Sequence, residues 1–161
     1  MLVGIIADDL TGLTAVASEF ERFGFSVGIA FSSDQVDSIS DRYDIIGVDT
    51  NSREKNSQKA AKAAEEAAEV LSKFNPVWLF KQGDSALHGN IASELSAVSI
   101  KLKAKNVLMA PACPSLNRIT IDGVHRIIAD DPHTHVSVVD LWSNDQKLSL
   151  IHISEPTRLA T

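Results

Sequence analysis

The sequence predicts a three-layer α/β domain of Rossmann-like layout, a mainly parallel sheet flanked by helices. Short apolar runs rich in β-formers alternate with stretches of helical period, the pattern of strands joined by crossover helices. The strand-like runs also end in polar residues, as they do where the loops of an open parallel sheet gather around a ligand.

The first strand is read over residues 2–7, a buried run that meets Asp8 and Asp9 at once. A helix follows over 11–23, with Leu13, Val16, Ala17 and Phe20 on one side and Gly24 as its C-terminal stop. Strands are expected over 26–31 and 44–48, separated by a polar stretch over 32–42. The Ala-rich run 58–74 is the clearest helix, and Pro76 stops it before a strand over 77–80. A glycine-punctuated loop over 81–90, a helix over 91–102, a fifth strand over 106–110 and a long loop over 111–123 complete the regular part. Beyond it, residues 130–132 mark a turn and 136–141 read as a further strand.

At 161 residues and 44% hydrophobic content, the chain can bury one real core. The net charge of -6, with Lys and Arg dispersed, argues against nucleic acid or an anionic membrane as partner and favours a small polar ligand. One cysteine, Cys113, leaves no disulfide framework and fits the cytoplasm. The stretch 148–161 reads as foreign, resembling translated sequencing-adapter DNA, so the natural domain is expected to cover 1–147 and to continue beyond it. The alternative is a native strand over 148–153 with a polar tail.

The candidate site residues are those at the predicted strand ends: Asp8, Asp9 and Thr11; Asp49, Thr50, Ser52 and Arg53; Lys81, Asp84, Ser85, His88 and Asn90; and Asn117, Arg118 and Thr120. Asp8 or Asp9 can simply cap the helix behind it, but two adjacent carboxylates repel each other unless a cation or ligand stands opposite, and Lys81 is the expected counter-charge. The bland readings are a surface lysine for Lys81, a loop histidine for His88 and a packed loop thiol for Cys113. His133 and His135 look incidental, and no closely spaced histidine or cysteine motif suggests zinc. Neither a GxxxxGK[ST] nor a GxGxxG loop is present, so a nucleotide would have to be held elsewhere.

Four blocks in order, IIADDLTG (5–12), DTNSR (49–53), KQGDSALHGN (81–90) and PACPSLNRITIDGVH (111–125), resemble the N-terminal domain of the four-carbon acid sugar kinases. The resemblance implies a two-domain kinase that uses ATP with Mg2+ to phosphorylate threonate, erythronate or 3-oxo-tetronates. It places the substrate site in this domain and most of the nucleotide site in a C-terminal domain absent here. Under it, Arg53, Lys81 and Arg118 hold the acid's carboxylate and hydroxyls, with His88 beside them. Asp84, Ser85 and Asn90 orient the hydroxyls, and Asp8 or Asp9 binds the acceptor side or assists proton removal, a task the absent domain could equally hold; no metal ligand is expected among these residues. The sequence departs from the family pattern at Gln82, Ala86 and His88, where Lys, Thr and Arg are usual, and at Ala15, where Asp often stands. His for Arg weakens a bidentate grip on carboxylate, while Asn117, in place of the usual Gly, tolerates a left-handed turn.

Two rival functions are a receiver-like Mg2+-dependent phosphoacceptor module on Asp49 and a non-catalytic sugar-acid-binding module. The first lacks a lysine after the fifth strand to hold the phosphoryl group and gives the Arg118 loop no task. A homo-oligomer is compatible with any of the three.

Overall fold

A computed structural model of the chain describes residues 1–128 and 135–137. They fall into two compact units, one of Met1–Gly83 with Gly89–Ala104, the other of Asp84–His88 with the described residues from Lys105 onward.

The first unit is the expected α/β layer structure. Strands β1 (Val3–Ala7), β2 (Val27–Ala30), β3 (Ile45–Asp49) and β4 (Trp78–Gln82) are all parallel and lie in the order β2-β3-β1-β4. Between them run α1 (Leu10–Arg22), a single turn α2 (Val36–Ile39), α3 (Ser57–Ser72) and, after β4, α4 (Ile91–Leu102). Because successive strand residues point to opposite faces, Ile5 and Ala7 pack with Leu13 of α1, while Ile6, Ile46 and Val48 pack with the alanine stripe Ala64, Ala67 and Ala68 and with Leu71 of α3. Small side chains at that stripe let the helix axis approach the sheet closely, and α4 packs against α3. Burying Ile5, Ile6 and Ile46 completely stabilises the core by roughly 1.5–3 kcal/mol each.

Helix ends follow local rules. Asp9 accepts a hydrogen bond from Gly12 N at 2.8 Å and Asn56 one from Lys59 N at 3.0 Å, so each satisfies an orphan donor of its helix. After α1 the chain turns at Gly24 with φ +88°, a conformation without penalty for glycine, as the sequence predicts.

The entry to β2 and β3 is tied by Asp44, whose carboxylate accepts from Ser26 N (3.0 Å) and Ser26 Oγ (2.7 Å). These bonds, the backbone one first, hold the Asp44 carboxyl below its ordinary range. A carboxylate depressed in the folded state adds stability above its unfolded pKa, and that stability is lost as pH falls through the folded value. Denaturant midpoints of the wild type and of Asp44→Asn are therefore expected to differ at neutral pH and to converge below the ordinary aspartate range.

The second unit departs from the sequence prediction. Residues 106–110 are not a strand; Val107 and Leu108 are exposed there. The span 111–123, expected as loop, holds a 3-10 turn at Pro114–Leu116 and strand β5 (Arg118–Ile121), which pairs antiparallel with β6 (Val124–Ile128) and through it with β7 (His135–Ser137). The hairpin turns at Asp122 (φ 51°) and Gly123 (φ 74°), the Asp-Gly pair that a two-residue turn with positive φ requires, so the signal stood in the sequence unread. Asn117 adopts the left-handed conformation expected of it, φ 58°. β7 covers the start of the strand predicted over 136–141; the rest of that strand, the turn at 130–132 and the stretch 148–161 lie outside the described residues. Among the described residues no helix is long and apolar enough to cross a membrane.

Candidate functional site

Backbone pairing at the carboxyl end of the first unit's sheet brings the acidic pair and Arg53 together. Beyond β1 and β3 the ladder continues into the loops: Thr50 N donates to Ala7 O (2.9 Å), and Ser52 N and Arg53 N donate to Asp8 O (2.9 and 3.2 Å). This register lays the Arg53 loop along Asp8. The guanidinium then forks onto Asp8, with Nε 2.9 Å from Oδ2 and Nη2 3.0 Å from Oδ1, while Nη1 lies 2.6 Å from Asp9 Oδ2. The counter-charge expected of Lys81 is thus supplied by Arg53, whose planar fork grips Asp8 through two nitrogens and reaches Asp9 with the third. Asp8 is 1% exposed and Asp9 remains partly accessible, so the pair presents one buried and one open carboxylate. Gly89, at φ +96°, crosses this cluster so closely that an added Cβ would stand 3.2 Å from Asp8 Oδ2 and 3.3 Å from Arg53 Cγ.

Lys81 has a different partner, one that reading the sequence missed. Its Nζ lies 2.9 Å from Oε2 of Glu94, a carboxylate fully buried in the first turns of α4, and also donates to Gln82 O. The other Glu94 oxygen accepts from Ser52 Oγ at 2.5 Å, and Ser52 Oγ meets Thr50 Oγ1 at 2.7 Å. The chain Lys81, Glu94, Ser52, Thr50 therefore locks the exits of β3 and β4 together beneath the Arg53 cluster. Its signal in the sequence was a carboxylate four residues before Val98 on the buried face of α4, where a charge persists only with a partner. Asn90 completes the lock, its Nδ2 donating to Ser52 O (3.1 Å), Arg53 O (3.2 Å) and Lys55 O (2.8 Å). Gln82, at the departure from the family pattern, packs its amide against Gly12, and its buried Oε1 has no hydrogen-bond partner among the described residues.

Six expected residues, Asp84, Ser85, His88, Asn117, Arg118 and Thr120, belong to the second unit. Asp84 organises its loop, Oδ2 accepting from Ala86 N (2.9 Å) and His88 N (3.2 Å) and its carbonyl from Leu87 N (2.9 Å). Ser85 and His88 lie in the same partly buried loop. Arg118 opens β5, its Nη1 donating to Leu116 O (2.7 Å) while its enclosed Nε has no partner among the described residues.

The described residues contain no group of three His, Cys, Asp or Glu side chains able to hold a metal ion. The charge of the adjacent carboxylates Asp8 and Asp9 is already met by the Arg53 guanidinium. Mg2+ therefore does not fit the residues described.

Residues 3–142 match the family described as the sugar-binding N-terminal domain. The chain is 32% identical to a D-erythronate kinase of Heliobacterium modesticaldum over 92% of its own length and 37% of that protein's. It is 30% identical to a D-threonate kinase of Salmonella typhimurium over 74% of its length and 28% of that protein's. It thus spans about a third of the kinases it matches. Among solved structures, a Bordetella bronchiseptica domain of unknown function, a domain-swapped dimer with bound citrate, superposes with a TM-score of 0.78 at 25% identity, over 87% of this chain and 34% of that one. A Haemophilus influenzae protein shares the fold with a TM-score of 0.69 at 22% identity, over 85% of this chain and 32% of that one.

Proposed function

This chain belongs to the family of sugar-binding N-terminal domains, and from that premise we propose that it supplies the substrate site of an ATP-dependent kinase for a four-carbon sugar acid of the threonate, erythronate or 3-oxo-tetronate type. The observation that carries the reading is the Asp8, Asp9 and Arg53 cluster at the sheet's carboxyl edge, a buried ion group with one open carboxylate. The kinases named above act on acids of this size, and the Bordetella neighbour binds citrate, another hydroxylated carboxylate.

Phosphoryl transfer asks the acceptor's protein to align a hydroxyl and take its proton, with little covalent chemistry. In this proposal Asp9, the more accessible carboxylate, accepts the reacting hydroxyl's proton, and Arg53 and Asp8 hold it at a defined angle. Lys81 and Arg118 draw in the substrate carboxylate. Asp84, Ser85 and His88 contact hydroxyls, and Asn90, whose nitrogen is engaged by backbone carbonyls, offers Oδ1. ATP and Mg2+ bind outside the residues described. A cytoplasmic setting and self-association, after the neighbour's swapped dimer, complete the proposal.

Titration of D-threonate and D-erythronate into this chain and into Asp9→Ala tests it. The wild type is expected to bind one of the two acids, and the variant to bind it about ten-fold more weakly, the loss of one charge-assisted hydrogen bond. Equal affinity in both proteins removes Asp9 from the site, and no binding to the wild type removes the reading.

A further inference from the structure

Resting on that reading, we propose that His125 is a positioning residue for the substrate loop: it fixes the Ser85–Ala86 peptide plane and, through it, the carboxylate of Asp84. His125 lies on β6 directly opposite Thr120 of β5 and is 3% exposed. Its Nε2 stands 2.7 Å from Ser85 O, forty residues away in sequence, and its Nδ1 stands 3.1 Å from Thr120 Oγ1.

A carbonyl oxygen can only accept, so Nε2 carries the hydrogen; the Thr120 hydroxyl then donates to the lone pair on Nδ1. Both ring nitrogens are committed, and Ser85 O, which can only accept, sets the ring's tautomer as a carboxylate or carbonyl does for a metal-binding histidine. The Ser85–Ala86 peptide is gripped at both ends. Its C=O takes the His125 proton, and its N–H is given to Asp84 Oδ2 at 2.9 Å. Rotating that peptide would break both bonds at once, so the imidazole and the Asp84 carboxylate are coupled through one rigid plane.

A histidine that merely fills space would bond within its own hairpin. This one instead spends its Nε2 proton on residues 84–88, a loop without a helix or strand whose other described hydrogen bonds converge on Asp84. The loop carries three proposed substrate contacts, Asp84, Ser85 and His88, so its shape decides whether they converge.

The test uses this chain with three substitutions: His125→Phe, which keeps a ring and removes both nitrogens; His125→Gln, whose amide nitrogen reaches the place of Nε2; and Thr120→Val. Affinity for D-threonate and D-erythronate is measured beside hydrogen exchange at the Ala86 and His88 amides. His125→Phe is expected to weaken binding about ten-fold and to speed exchange at Ala86 by a similar factor; His125→Gln is expected to restore both to within about three-fold, and Thr120→Val to fall between. Should His125→Phe not fold, His125→Asn takes its place, since its amide is one carbon too short to reach Ser85 O. Wild-type affinity and exchange in the Phe or Asn variant, or failure of Gln to rescue either quantity, overturns the proposal. If the wild type binds neither acid the kinase reading fails, and the exchange rates alone still decide whether His125 holds the loop.

Discussion

Replacing Arg53 with methionine is expected to destabilise the chain by about 3–5 kcal/mol and to abolish sugar-acid binding. Breaking a buried ion pair by removing one partner costs that much because the surviving charge is left without compensation. Here the survivor is Asp8, 1% exposed, whose two oxygens both lose their donors. Asp9 is more open and shares less of the penalty. Against a total stability of about 5–15 kcal/mol, the loss is large enough to appear directly in a urea titration. Arg53→Lys separates charge from geometry: an ammonium cannot reproduce the bidentate grip on Asp8 while also reaching Asp9, so much of the loss is expected to remain. A midpoint within error of the wild type in both variants would show that the cluster contributes nothing to the fold.

Glu94→Ala is expected to cost a comparable amount, about 3–5 kcal/mol, since it leaves the Lys81 ammonium, 9% exposed, without its counter-charge in the interior. The informative companion is the double replacement Lys81→Met with Glu94→Leu. Exchanging both members of a buried pair for apolar residues of similar volume is often neutral or stabilising. The double variant is therefore expected to recover most of the wild-type midpoint while still failing to bind D-threonate or D-erythronate, because the ammonium proposed to attract the substrate carboxylate is gone. Recovery of binding along with stability would assign Lys81 a purely structural role.

Both expectations concern residues whose importance was unevenly visible in the sequence. The acidic pair, Arg53 and Lys81 all stand at predicted strand ends, but the sequence points to Lys81 as the counter-charge where the structure has Arg53. Strand order explains the error. With β1 between β3 and β4, the acidic pair has neighbours on both sides, and only the extended register through Thr50, Ser52 and Arg53 shows that the β3 loop lies along Asp8. Glu94 was passed over because a glutamate in the first turns of a helix reads as ordinary surface decoration until the opposite face is known to be solvent.

The sequence by itself determined the strands and the longer helices of the first unit, since each depends on local causes: the alternation of apolar runs, a cap from the acidic pair, the turn at Gly24 and the alanine-rich run of α3; the single turn α2 inside the polar stretch 32–42 was not among them. It determined less of the second unit, where the Asp-Gly turn was legible but strand pairing across 118–128 depended on a partner strand at a distance. Only the tertiary structure decided which charges meet. A side chain's neighbours across a sheet are set by register and crossover, and a shift of one residue would turn Lys81 away from Glu94 and Arg53 away from Asp8.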